Sequence, residues 1–326
     1  MTTTTLTDPT TGAGTVRRGP LRGLAWLVVR QHRATLYCVL ALVVLGAAVI
    51  AYERGQMIDT LDAAGWPREN APDPVVSARV WNYVTLALGL LPTLLGVLVG
   101  APLIASDTEQ GTAQLVTTQS VARRRWLIAK LTLGYCVALF AGLVLSVLFT
   151  WWWKPYRSVL PAVWMDGSVF DGTGPVLPAF CLFLTAAGIT IGVLLRRVLM
   201  AMVVTLGFSV FVNIVWDRFR DGLGTSHLYT YPLNAESSLG SYQDVQQLDS
   251  WVGSADGTLY GWGICAKATE AAQNACVKDK GIVNNVVEYL EYDQMNAMQW
   301  TGAAILLAAT ALLTVFVVWR VSRRPL

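Results

Sequence analysis

The sequence predicts an all-α integral membrane protein, a bundle of six membrane-spanning helices, and three observations carry that prediction. Hydrophobic residues make up 54% of the 326 residues and charged residues 14%, against roughly 25% charged in ordinary soluble domains. Six stretches approach or exceed the roughly 20 apolar residues needed to cross a hydrocarbon core of about 30 Å: Ala34–Tyr52, Trp81–Ala105, Trp126–Trp153, Pro175–Leu195, Val198–Trp216 and Trp300–Trp319. Aromatic residues stand at their ends, namely Tyr52, Trp81, Trp126, Trp151 to Trp153, Trp216, Trp300 and Trp319, as expected of rings that settle at headgroup depth. Runs this long read as helices, because lipid leaves every backbone polar group to be satisfied within its own segment.

Residues 1–33 form an amino-terminal tail ahead of the first run. The Thr-rich tract Met1–Thr15 lacks apolar residues to offset ordering entropy and is expected to be disordered. From Pro20 to Arg33 the sequence PLRGLAWLVVRQHR mixes Leu21, Leu24, Trp26, Leu27 and Val28 with arginines. A short helix lying along the membrane surface suits that mixture; a simple basic flank of the first span is the alternative. The first apolar run has 19 residues and no clean small-x-small cleavage site before Tyr52. It therefore reads as an uncleaved span rather than a signal core of about 7–15 residues.

Orientation follows from Lys and Arg, which are retained on the cytoplasmic side of short loops. With both termini inside, the cytoplasmic segments hold 14 basic residues against three acids, Asp8, Asp107 and Glu109, and the outer segments hold 10 basic and 18 acidic residues. The imbalance survives removal of the long segment 217–299, since the two short outer loops carry only five basic residues. The expected location is the cytoplasmic membrane.

The first outer loop, Glu53–Val80, is turn-rich and expected to be solvated and irregular; the second, Lys154–Gly174, is short and rich in Gly and Pro. Segment 217–299 is expected to cap the bundle on its outer side, with a helix over Val286–Met298 leading into the last span. Cys265 and Cys276 lie there, where an oxidising space favours a structural disulfide. Cys38, Cys136 and Cys181 fall inside apolar runs and read as small buried hydrophobes.

Between the second and third runs, Ser106 and Glu109 have the S-x-x-E spacing of a capping box, in which each side chain satisfies a backbone donor at a helix start. A cytoplasmic helix from about Asp107 to Thr118 is expected to follow, with Ser120 capping the third span and Arg123, Arg124 and Arg125 anchoring it among headgroups. Arg196 and Arg197 alone separate the fourth and fifth runs, giving a tight hairpin with a basic tip.

The run Glu109-x-Gly111-Thr112, then Leu115, Thr118, Arg123 or Arg124, Trp126-Leu127 and Lys130, resembles the inner loop of ABC-type exporter permeases of the type-2, ABCG-like family. The motif covers about 25 residues, and it departs from the family pattern at Gln119, where Pro often stands. The rest of the architecture is similar: surface helix, six spans, span-four/five hairpin and enlarged segment between spans five and six. The resemblance implies that the loop is a coupling helix docking on a separate cytoplasmic ATPase. Glu109 would meet the partner, Gly111 would permit close approach, Arg123 to Arg125 would fix the helix against lipid, and Arg196 and Arg197 would make the second contact. It also implies that two permease copies, or this chain with a related one, complete the path. ATP and magnesium would be bound by the ATPase, since the chain has no G-x-x-x-x-G-K-[ST] phosphate loop. No cofactor of its own and no nucleic-acid partner are expected.

An enzyme is disfavoured. His32 and His227, the only histidines, are expected on opposite sides of the membrane, and the runs hold no paired carboxylates. Proton coupling is disfavoured too, because intramembrane ionisable residues mark proton paths and Lys130, near the start of the third run, is the sole charge within the six. The remaining polar residues are Thr85, Thr93, Thr185, Thr190, Thr205, Ser209 and Asn213. Pro92 and Pro102 are expected to kink the second run, and Pro92, flanked by Gly89 and Gly96, either makes it a flexible wall of a path or serves packing. The expected function is the permease subunit of an ATP-driven exporter of a hydrophobic or amphipathic molecule. The alternative is a non-transporting immunity, sensor or assembly protein that binds a partner through segment 217–299.

Overall fold

The computed structural model describes residues 24–72, 74–111, 123–235, 239–240 and 243–323. Six helices are long and apolar enough to cross a membrane: span one Arg33–Ala63, span two Ala78–Glu109, span three Arg124–Tyr156, span four Val176–Leu195, span five Val198–Leu223 and span six Tyr292–Arg323. An even number of spans returns the chain to the end of the bundle where it began. We call that the terminal end and the opposite one the sheet end. The helix Leu24–Gln31 precedes span one as a separate element, broken from it at His32. The expectations for Met1–Thr15, Ser120, Thr112 and most of the helix Asp107–Thr118 lie outside the described residues.

Span one overruns its expected end at Tyr52 and takes the first part of the expected irregular loop into the helix. Val43, Ile50, Met57 and Leu61 are all buried, and their spacing forms one stripe of a 3.6-residue helix, so packing carries the helix past its polar residues. The Arg54 guanidinium lies 3.8 Å over the Trp151 ring of span three, a cation–π contact. Gly65, at φ 76°, then turns the chain.

Span four is the hub and packs against spans two, three, five and six. It reaches span two backbone to backbone. Gly96 and Gly100 on span two face Gly188 and Gly192 on span four, and a Cβ on Gly188 would sit 2.2 Å from the Gly96 carbonyl oxygen, one on Gly100 2.5 Å from that of Thr185. Small residues at four-residue spacing permit such approach in lipid, where there is no hydrophobic drive between helices. Gly96–Gly100 is itself a π-helical turn, following Pro92 inside the helix. Of the two readings of Pro92 and its glycines, packing is the one that Gly96 serves, since Leu184 pins it.

The aromatic belt needs correction. Trp151, Trp300, Trp319 and Tyr52 are exposed on the bundle surface, but Trp81, Trp126, Trp152, Trp153 and Trp216 are buried. Trp81, Phe149 and Trp152 form a mutual ring cluster with centroids 5.7–6.2 Å apart, because large rings fill the wide sheet end of the bundle. Cys181 is buried as expected, whereas Cys38 and Cys136 are exposed.

Segment 217–299 folds differently from the expectation. It carries a four-stranded antiparallel sheet, β1 His227–Pro232, β2 Val245–Ser254, β3 Leu259–Gly261 and β4 Ile282–Glu291, in the order β1-β4-β2-β3. The expected helix over Val286–Met298 is strand as far as Glu291, and the helix starts at Met295. Val286, Val287 and Leu290 are buried in β4, and Leu290 joins the core of the bundle; β-branched and aromatic residues suit such a half-buried pleat. The sheet rests on the helices through Tyr292, whose ring meets Trp153 and Trp164. A smaller core of Val252, Cys265 and Ile282 lies beyond, where a disulfide joins Cys265 to Cys276 on the helix Glu270–Asp279.

The loop between spans three and four is packed into the bundle. Leu160, Trp164, Met165, Val169 and Phe170 are buried. Gln299 of span six clamps it, its Nε2 donating to the carbonyls of Phe170 and Thr173 at 2.9 and 3.2 Å.

Candidate functional site: the loop base at the terminal end

The capping box expected at Ser106 and Glu109 does not form. Both residues belong to the last turns of span two, and the Ser106 carbonyl accepts from Gln110 N at 3.1 Å. Gly111, at φ 71°, ends the helix in the left-handed region, which glycine enters without a Cβ clash. Its observed part is thus that of a helix stop.

Glu109 caps a different helix. Its Oε2 accepts from the backbone N–H of Val198, the first residue of span five, at 2.8 Å. That donor is one of the four that a helix start leaves unpaired, and a carboxylate there also meets the positive end of the helix dipole. The residue that precedes it, Arg197, provides no side-chain cap. Arg196 takes φ 57°, the only positive φ at a non-glycine among the described residues, and its N–H donates to the Gly192 carbonyl at 3.0 Å, ending span four. The two arginines therefore form the expected tight hairpin, exposed at its tip. The end of span two and the hairpin are one unit, joined through Glu109.

A second tie lies beside the first. Lys130, fully buried in span three, places its Nζ 2.6 Å from Asp107 Oδ2 and donates to the Leu103 carbonyl at 2.8 Å. The other carboxylate oxygen of Asp107 accepts from Gln31 Nε2 of the preceding short helix at 2.8 Å. A buried ion is costly unless it is paired and hydrogen-bonded, and here the ammonium has two acceptors and the carboxylate two donors. Both charges stand at the base of the loop that links spans two and three, one on each leg. The signal was present in the sequence: a lone Lys in an apolar span requires an acid at its own depth, and Asp107 and Glu109 are the two acids nearby.

Arg124 and Arg125 are exposed in the first turn of span three; the Arg123 side chain is outside the described set. Cations at a helix start oppose the dipole. Thr85, Thr190 and Ser209 donate to carbonyls four residues back on their own helices, at 2.9, 2.7 and 2.8 Å, and Asn213 Nδ2 does the same toward Ser209.

The six-span bundle carries charged ties at both ends, Lys130 with Asp107 and Glu109 with Val198 N at one, and Arg220 with Asp171 and Asp217 at the other, with the exposed arginine hairpin beside the first and the sheet beside the second. The family described as ABC-2 membrane transporter related matches residues 40–220. That is more than half of the chain, and the chain belongs to this family. No curated protein and no solved structure matches it.

Proposed function

We propose that this chain is the permease subunit of an ATP-driven exporter, moving a hydrophobic or amphipathic molecule across the cytoplasmic membrane with energy from a separate ABC-type ATPase. In this reading the terminal end is cytoplasmic, the ATPase binds ATP and magnesium, and a second permease copy, identical or related, completes the path. The observation that carries it is the hydrogen bond from Val198 N to Glu109 Oε2. It joins the two places where the ATPase is expected to press, the loop after span two and the Arg196–Arg197 hairpin. With the Lys130–Asp107 pair joining the two legs of the loop, a push there is delivered to spans two, three, four and five together. Transmission over such a distance requires contiguous rigid elements that both ends can bias. The arginines of the loop and hairpin supply the positive surface that an acidic docking face would meet.

The test is to purify the tagged chain with its membrane-associated ATPase and measure ATP hydrolysis with and without the permease. Glu109→Ala and Arg123→Ala are expected to lower the permease-dependent hydrolysis while leaving the six spans inserted. If no ABC-type ATPase accompanies the chain, the exporter reading fails; if hydrolysis is indifferent to both substitutions, the coupling assignment fails.

A further inference from the structure

A cavity of about 420 Å³ lies toward the sheet end, between spans two, four and five and the short helix Gly167–Phe170. Its size falls in the range of about 300–1,000 Å³ typical of small-ligand sites. Most of the wall is apolar, from Leu86, Leu88 and Leu90 of span two and Leu177 and Phe180 of span four. Leu86 and Leu90 are 58% and 45% exposed, so the mouth opens on the flank of the bundle. The larger groove of about 930 Å³ between spans three, four and six has the same apolar character, but the one charged group on its wall is Lys154.

What distinguishes the smaller cavity is its polar corner. Asp171, Ser168, Asn82 and Asn213 all border it. Asp171 accepts from Trp216 Nε1 at 2.7 Å and from Arg220 at 3.1 Å, and Asp217 holds the other terminal nitrogen of the same guanidinium at 2.7 Å. Asp166 caps the short helix next to them through Ser168 N. Two carboxylates thus share one arginine, with the Asp166 carboxylate beside Ser168 close by, and the corner is left with excess negative charge. Asn82 and Asn213 add amide groups; one N–H of the Asn213 amide donates to the Ser209 carbonyl, and the amide oxygens are available as acceptors. The corner offers acceptors and negative charge, and the rest of the wall offers apolar area.

We propose that this cavity binds an amphipathic cation, its apolar body against Leu88, Leu177 and Phe180 and its positive head against Asp171. Entry is lateral, past Leu86 and Leu90, from the lipid phase in which such a molecule partitions. The site is built from this chain alone, so it stands or falls apart from the ATPase reading.

The test uses tetraphenylphosphonium as the probe and tetraphenylborate, of the same shape and opposite charge, as the control, with the full chain in lipid nanodiscs and binding followed by equilibrium dialysis. Saturable binding of the cation at one per chain is expected, with the anion excluded from that site. Asp171→Asn is expected to weaken binding by about tenfold or more, the effect of losing a charge-assisted contact. Leu90→Trp, at an exposed position that tolerates bulk, closes the mouth and is expected to abolish saturable binding even if Asp171→Asn does not fold. Equal binding of the two probes, or cation binding that survives Leu90→Trp, overturns the proposal. So does an unchanged affinity in a folded Asp171→Asn.

Discussion

Span four and span five are joined by a two-residue hairpin and are about equally apolar, yet 83% of the most apolar window of span four is buried against 17% of that of span five. Hydropathy does not separate them; side-chain size does. Span four carries Ala179, Ala186, Ala187, Gly188 and Gly192, which let four neighbours close on it. Span five touches the bundle along a thin stripe of Ala201, Thr205, Ser209, Trp216 and Arg220 and leaves Leu199, Val203, Phe211 and Ile214 exposed. The hub is therefore fixed by backbone contact, and span five is held mainly at its ends, by Glu109 at one and by Asp171 at the other.

The largest expected effect breaks the packed side of this comparison. Lys130→Met strands Asp107 in a buried site and is expected to destabilise the protein by about 3–5 kcal/mol, whereas the double variant Lys130→Met with Asp107→Leu recovers most of it. Thermal melting in detergent distinguishes the two outcomes, and a double variant no better than the single one would argue against the ion pair. Next, Gly188→Val drives a Cβ into the Gly96 carbonyl and is expected to cost about 3 kcal/mol, at the upper end for overpacking. Gly207→Val on span five, where nothing stands within 4 Å, is expected to stay within about 0.5 kcal/mol of the parent. Equal losses at the two glycines would erase the contrast.

The ties of span five are predicted to be weaker. Asp171, in the loop between spans three and four, has its carboxyl pushed up to about 6, chiefly by burial and against the pull of Arg220 and the Trp216 indole, with Asp217 adding to the rise. Because the folded value lies above the unfolded one, its stabilising contribution is full below pH 3.8 and is lost as pH rises through about 6. Asp171→Asn is thus expected to flatten the melting profile across that window by about 1–2 kcal/mol, as read by melting scans at stepped pH; a parallel shift of both profiles would exclude the carboxyl as the cause. Smallest of the four, Glu109→Ala removes the cap on span five and is expected to cost about 1 kcal/mol, with faster amide exchange at Val198 and the residues after it than elsewhere in span five. Uniform exchange along the helix would deny the cap.

The spans were legible because lipid permits little besides a long apolar helix. What escaped was set by contacts between segments distant in the chain. VVEYLE in β4 fits strand or helix by local preference, and its pairing with β1 and β2 decides. Glu109 and Ser106 fit a capping box by spacing, but the helix they belong to is ending there, and Val198 lies 89 residues away. Position at the end of a run places a Trp at headgroup depth, but five of them fill the interior, because neighbouring helices close over them. The paired glycines of spans two and four, GVLVG and GITIG, were present in the sequence as a four-residue repeat and were the strongest unused clue to which spans touch. Lys130 is a charge within an apolar span, and the acid that neutralises it is Asp107, in the adjoining loop base.

The π turn at Gly96–Gly100 has a rotational consequence. A π turn holds one residue more than the α-helix around it, and each residue of an α-helix advances the face by about 100°. The half of span two that ends in Asp107 and Glu109 is thus phased by a single extra residue near the middle of the span. Removing Val97 would let the turn relax to α-helix with the phase kept, whereas tightening the turn to α-helix with all its residues retained would swing that half about its own axis by about 100°. That swing would carry Asp107 away from Lys130 and Glu109 away from Val198, with no charged residue altered. The angular setting of the entire loop base is in this sense stored in one residue of helical slack, some 10 residues from the charges it aligns.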